Sequence, residues 1–347
     1  MHSNIQIMEY LKLVYVGFAF PHHENTMGGY HHIASSLKYD YCVDCQTLYN
    51  QFSAKSSSVL AKMIRGINRI LWGQHIAPWY LLRVLWLSIT NKNLCFHVIY
   101  GENLIDDLFL RCVGRHKVVC TLHQPFEWFK KRPFWLNYLK RIDHIILMSE
   151  DEIVLFEEVT ERKNVSFVPH GIRCDFYRLP LSYETKKDGS ILMVGNWLRN
   201  FELANEVFCK LLEKNPNQII NVICSKENHK FFTNRNIHCF CGISDVELRE
   251  LYWKSNVVFL PLLRFTANNA LLEASACGCN IVIASEQIEN SYLPHEFITI
   301  LEPKFETCVS YLESINKSNA NITLCNFVTN YYSWKNIANL TLKILNS

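Results

Sequence analysis

The feature that most constrains this chain is an alternation of short β-rich runs with helical patterns, which begins near residue 11 and starts afresh near residue 191. Such alternation builds parallel sheets from βαβ units. In the first half the runs Leu11 to Val16, Cys42 to Leu48, His97 to Tyr100, Lys117 to Thr121, His144 to Met148 and Val165 to Val168 read as strands. In the second half the strands are Ile191 to Val194, Ile219 to Cys224, Ile237 to Phe240, Val257 to Leu262 and Asn280 to Ala284. Between them, Leu203, Val207, Phe208, Leu211 and Leu212 recur at helical spacing over Glu202 to Lys214. Ser244 followed by Glu247 matches a capping box, and a further helix is expected from Asn268 to Cys277.

The two halves meet at Val168-Pro169-His170-Gly171-Ile172, where Pro and Gly stop regular structure and a polar stretch from Arg178 to Lys187 follows. The expected domains are therefore residues 1–170 and 171–330, with a C-terminal helix at 331–347 crossing back onto the first. A chain of 347 residues exceeds one ordinary hydrophobic core, and 49% apolar with 19% charged residues suits packed globular domains.

The net charge of +3 hides an asymmetry, because Lys55 to Arg141 holds 14 Lys and Arg against four Asp and Glu. The segment Phe126 to Arg141 interleaves those cations with aromatics, and Trp72, Trp79, Tyr80 and Trp86 lie upstream among Lys62, Arg65, Arg69 and Arg83. That composition suits peripheral contact with an anionic membrane, and equally a pair of amphipathic helices with aromatic cores. No nucleic-acid motif accompanies it, so no nucleic-acid partner is expected. Arg83 interrupts the most apolar stretch, Ile76 to Ile89, so no spanning helix is expected either.

The 14 cysteines form only one C-x-x-C pair, Cys42 and Cys45; buried free thiols are a simpler reading than zinc or disulfides. Without a signal-like start, the expected location is the cytoplasm, at most at the inner face of the plasma membrane. The sequons at Asn164, Asn316, Asn321 and Asn339 are then coincidental.

The stretch from Phe259 to Ala284 carries the chemistry. A buried strand ends at Pro261, and a helix starting near Asn268 would aim unpaired N–H groups toward a phosphate. Glu273, one and a half turns on, is placed to accept hydrogen bonds from a ribose diol. A plain buried Rossmann helix would read similarly.

Leu271-Leu272-Glu273-Ala274 with Ala276-Cys277-Gly278 resembles the donor signature of the family-4 retaining glycosyltransferases of GT-B fold. Gly28-Gly29, Thr121-Leu122-His123, Ser149-Glu150, the Val168 to Gly171 junction and Val194-Gly195 follow in that family's order. The resemblance implies an α/β GT-B architecture, two Rossmann-like domains facing each other across a cleft. It also implies transfer of a sugar, with retention, from a UDP- or GDP-linked donor to a saccharide or lipid-linked acceptor in cell-surface polysaccharide or glycolipid synthesis. No cofactor and no obligatory metal are implied.

By the same resemblance His123 is the histidine near the reacting sugar, and Arg199 neutralises the departing diphosphate. Gly28, Gly29, Gly195, Asn196, Lys226, Thr266, Asn268, Asn269, Ala270, Leu271 and Glu273 form the donor site. Two departures stand out: Phe265 occupies a position where the family has a second glutamate, and the Lys expected after Arg199 is missing, with Lys226 as a substitute. A sugar-nucleotide 2-epimerase and a non-catalytic nucleotide-binding relative share the architecture and are the rival readings.

Overall fold

The computed structural model describes residues 11–20, 23, 26–45, 80–180, 189–264, 268–287, 292–315 and 319–347. It divides into two compact units. One comprises Met1–Glu24, Gly29–Val168 and Ala338–Ser347, and the other Asn25–Gly28 and Pro169–Ile337.

The first unit is built on a six-stranded parallel sheet ordered β2-β1-β3-β4-β5-β6. Its strands are β1 (Lys12–Gly17), β2 (Tyr41–Asp44), β3 (Leu94–Val98), β4 (Lys117–Leu122), β5 (His144–Leu147) and β6 (Val165–Phe167). β3 is buried at every residue and β1 at all but its first, which explains continuous apolar runs instead of alternation. The C-terminal helix Trp334–Asn346 ends in this unit, where Lys117 Nζ donates to the carbonyls of Ile344 and Leu345 at 3.4 and 3.2 Å.

The second unit repeats the plan with β7 (Ile191–Val194), β8 (Ile220–Ile223), β9 (Ile237–Phe240), β10 (Val257–Pro261), β11 (Asn280–Ala284) and β12 (Ile298–Leu301), ordered β12-β11-β10-β7-β8-β9. Helix Phe201–Lys214 lays Leu203, Val207, Phe208, Leu211 and Leu212 against Met193, Val222 and Phe259 of the sheet. Side-chain caps start several of its helices: Asn200 accepts from Leu203 N–H at 3.1 Å, and Asn321 from Leu324 N–H at 3.0 Å. The expected capping box is formed, with Glu247 N–H donating to Ser244 Oγ at 3.3 Å and Ser244 N–H to Glu247 Oε2 at 2.8 Å.

Three strand expectations need adjustment. β3 begins at Leu94 and ends at Val98, because Tyr100 turns into the left-handed region at φ 56° and starts the short helix Gly101–Leu104. β2 ends at Asp44, and the rest of the expected Cys42 to Leu48 strand is either outside a strand or outside the described residues. β12 was not anticipated; it is a four-residue edge strand with one buried residue, too short to stand out as a run.

All 14 cysteines are free thiols, and eight are buried, as small hydrophobes would be. The Asn164 side chain is buried and donates to the carbonyls of Ile142 and Asp143 at 3.0 and 3.1 Å, which makes it a structural amide.

Candidate functional site

In each sheet the chain reverses its direction of travel once, between β1 and β3 in the first unit and between β7 and β10 in the second. Ligands of open α/β sheets gather outside the carboxyl ends of strands at such a switch point. β7 and β10 pair over only two residues, Ile191 and Leu192 against Val257 and Val258, so their carboxyl ends are free to diverge.

At that divergence stands Arg199. Its Nε donates to the carbonyl of Val194 at 3.0 Å, its Nη1 to that of Trp197 at 2.9 Å, and its Nη2 to Asn268 Oδ1 at 3.2 Å. Burial pulls its guanidinium down to about 10, which leaves it cationic at neutral pH. Gly195, at φ 112°, lies directly beneath, and a Cβ there would sit 2.6 Å from Nη2. Asn268 caps helix Asn269–Ala276 by accepting from Leu271 N–H at 3.3 Å. Arg199 is thus tied to the N-cap of a helix, and a guanidinium and a helix N-terminus both attract an anion.

Glu273 is buried on that helix and accepts from the Tyr252 hydroxyl at 3.1 Å. Burial pushes its carboxyl up to about 7; the Tyr252 hydrogen bond opposes this and the charge of Asp245 adds to it. Asp245 in turn accepts from Met27 N–H at 2.9 Å and from the Tyr177 hydroxyl at 3.3 Å. Met27, Gly28, His170, Gly171, Tyr177, Asn269, Leu272 and Glu273 line a small concavity. The Met27-Gly28 segment and the Glu273 helix therefore converge. At the junction, His170 N–H donates to the Tyr292 hydroxyl at 3.1 Å, and Nδ1 lies 2.6 Å from the Gly171 carbonyl, which places the ring proton on Nδ1.

The remaining expected residues divide between contact and support. Asn196 Oδ1 accepts from Ser225 N–H at 2.5 Å and from Asn228 Nδ2 at 3.2 Å, drawing the Gly195 loop to the loop that presents exposed Lys226. Ala270 and Leu271 are buried and pack the helix on the sheet. Thr266, with Phe265, lies outside the described residues.

In the first unit His123 follows β4, its backbone N–H 3.3 Å from both carboxylate oxygens of Glu102. Its Nδ1 is 3.7 Å from Glu102 Oε1, and its ring packs against those of Tyr100 and Tyr30 at 4.4 and 4.8 Å. Burial pushes the Glu102 carboxyl up to about 7. Gly29, at φ 103°, precedes Tyr30, whose N–H donates to the Tyr100 hydroxyl at 3.0 Å.

Sequence reasoning missed Glu102, Asp245, Tyr252 and Trp197. The capping box marked the helix start beside Asp245, and Trp197 lay within the loop already singled out; nothing local pointed to Glu102 or Tyr252. Trp197 is 70% exposed and Leu263 64%, on the two loops at the switch point, and Leu263 N–H donates to the Leu198 carbonyl at 3.0 Å.

No family model and no curated protein matches this sequence. Solved structures do. The Anabaena protein HepE, in complex with UDP and glucose, is 13% identical with a TM-score of 0.66, the match covering 97% of this chain and 99% of that one. A UDP-forming α,α-trehalose-phosphate synthase from Burkholderia xenovorans is 14% identical, TM-score 0.60, over 97% and 99%. A sucrose-phosphate synthase from Thermosynechococcus elongatus is 13% identical, TM-score 0.57, over 72% of each chain. The chain has the α/β GT-B fold, two Rossmann-like units each with a six-stranded parallel sheet.

Proposed function

We propose that this protein is a glycosyltransferase that takes a sugar from a nucleotide-sugar donor bound in the second unit and passes it, with retention, to a saccharide or lipid-linked acceptor. The observation that carries the reading is the convergence on one switch point of a half-buried cation, Arg199, a capped helix start at Asn268 and a buried carboxylate, Glu273. Those groups complement the diphosphate and ribose diol of a nucleoside diphosphate. The fold neighbours support this reaction class: among them are sugar-phosphate synthases and a protein in complex with UDP and glucose.

In this reading the diphosphate leaves as Arg199 and the first-turn N–H groups stabilise its growing charge. Glu273 orients the ribose, with Asp245 holding the Met27-Gly28 segment beside it. His123 in the first unit meets a hydroxyl of the reacting sugar. Retention then proceeds by a front-face, ion-pair-like transfer, since a double displacement needs a carboxylate nucleophile at the reacting carbon. A UDP-linked donor fits the neighbours best, and GDP is its competitor.

The acceptor class is read from the first unit. Helix Tyr80–Thr90 buries Tyr80, Leu81, Val84 and Leu87 and exposes Leu82, Trp86 (58%) and Ile89 (75%) beside Arg83. An exposed apolar stripe in the most basic part of the chain suits the surface of an anionic bilayer, and hence a polysaccharide or glycolipid precursor at the inner face of the plasma membrane. No helix among the described residues is long and apolar enough to cross a membrane.

A thermal-shift panel of UDP-, GDP-, ADP- and CMP-linked sugars against wild type and Glu273→Ala tests the donor assignment. Selective stabilisation by one nucleotide, lost in the variant, is expected. No stabilisation at millimolar donor with well-folded protein would overturn it.

A further inference from the structure

We infer that the Met27-Gly28 segment is a strap over Glu273, latched by the Asp245 carboxylate, and that a ribose reaches Glu273 only once the latch opens. This builds on the reading that Glu273 receives the ribose of a donor nucleotide. It concerns the second unit alone, to which Asn25–Gly28 belongs although Glu24 and Gly29 belong to the first.

Glu273 is nearly closed off from solvent. It is 7% exposed, and the concavity it borders has room for about one water. Pockets that hold small ligands run to about 300–1,000 Å³, so no ribose fits while the walls stand as they do. On the inner side His170, Gly171 and Tyr177 are buried, whereas Met27, Gly28 and Asn269 are half-buried and form the side toward solvent. Asn269 is fixed as the first residue of helix Asn269–Ala276. Met27-Gly28 lies in no helix or strand, so it is the wall that can shift without breaking an element.

Asp245 holds that wall in place. Its Oδ2 accepts from Met27 N–H at 2.9 Å and its Oδ1 from the Tyr177 hydroxyl at 3.3 Å, so one carboxylate grips both the strap and the inner wall. Asp245 is the first residue of helix Asp245–Lys254, yet Ser244 and Glu247 already cap that start. The carboxylate is thus turned to the strap and not to its own helix. A bond from an amide to a carboxylate is stronger than one between neutral groups, but it is a single bond, enough to keep the strap shut and still let it open. Ligand association is then slowed by the fraction of time that the strap is shut.

The test compares the wild type with Asp245→Ala and Asp245→Asn in the full-length protein. Two readouts need no nucleotide. Hydrogen exchange at the Met27 amide should be slow in the wild type and roughly tenfold faster in Asp245→Ala. Carbodiimide labelling of the Glu273 carboxyl, mapped by mass spectrometry, should speed up by a similar factor. The third readout is association of UDP, with GDP beside it, by stopped flow; it should be roughly tenfold faster in Asp245→Ala because the binding-competent fraction rises. Asp245→Asn keeps an acceptor and should lie between the two, and it serves as the comparison if Asp245→Ala does not fold. A Met27 amide that exchanges at the rate of an open chain in the wild type overturns the proposal. So does loss of stability in the variants with no gain in labelling or association, which is what a purely structural Asp245 predicts. If exchange and labelling respond as expected but neither nucleotide binds any form, the strap stands and the donor reading falls, so the two failures are distinguishable.

Discussion

Arg199 Nη2 donates to Asn268 Oδ1 at 3.2 Å, and this bond joins the loop after β7 to the cap of the helix that carries Glu273. The same guanidinium fills the carbonyls of Val194 and Trp197, so one side chain both organises the switch point and charges it.

Arg199→Ala is therefore expected to lower stability by about 1–3 kcal/mol, because two carbonyls and a cap lose their donor. It should also abolish nucleotide binding. Arg199→Lys keeps the charge without the fork, and should lose comparable stability while retaining part of the affinity. Urea denaturation and titration with the selected nucleotide check both. Equal affinities of the Lys and Ala variants would show that the charge is not what the ligand meets.

Glu273 sets a pH dependence whose sign follows from its carboxyl being raised from an ordinary 4.5 to about 7. The stability it contributes is fully present below about 4.5 and is lost as pH rises through about 7. Glu273→Gln removes that titration, so the melting temperature of wild type relative to the variant should fall between about pH 4.5 and about pH 7, the span from the ordinary to the raised value. Binding of a ribose diol favours the ionised carboxylate, so nucleotide affinity should rise over the same window in wild type and stay flatter in the variant. Tyr252→Phe should move the midpoint up by removing a hydrogen bond to the charged form, and Asp245→Asn should move it down by removing a neighbouring charge.

Wherever the physics was local, the sequence announced it. The Ser244 and Glu247 capping box, the Leu203 to Leu212 stripe and the Asn268 helix start each depend on residues within a few positions, and each is formed. Glu273 was legible because its spacing from the helix start is itself local. Glu102 was not, since its meaning comes from β3 and β4 being neighbours, which places the turn after one strand beside the end of the next. Tyr252 likewise depends on helix Asp245–Lys254 lying against Glu273, 21 residues away in sequence. Arg199 was expected to neutralise the departing diphosphate; that three of its donors are committed to the protein is determined only by the fold of the Gly195 loop.

Gly101→Ala is expected to cost about 1–3 kcal/mol, because its methyl would collide with Cys120 Sγ inside a packed layer. Adding Cys120→Ala makes room for the methyl, so the double variant should recover part of that loss. A double-mutant cycle by urea denaturation measures the coupling, and strict additivity would place the two residues apart.

Trp197 should behave in the opposite way, mattering to ligand and hardly to fold. Its side chain is 70% exposed, yet its backbone is firmly held: Arg199 Nη1 fills its carbonyl, Leu198 follows in the left-handed region at φ 55°, and Leu263 N–H closes the turn. A bulky residue at positive φ carries strain, and such strain persists only where the surroundings enforce it. The loop thus presents an aromatic face beside the exposed Leu263 at the switch point of the second unit. Trp197→Ala is expected to change stability by no more than about 0.5 kcal/mol. Ring stacking lost from a base or sugar should nonetheless weaken binding by about 1–3 kcal/mol, roughly fivefold to a hundredfold in Kd. Calorimetric titration beside a melting curve separates the two effects, and an unchanged Kd would return Trp197 to the ordinary surface.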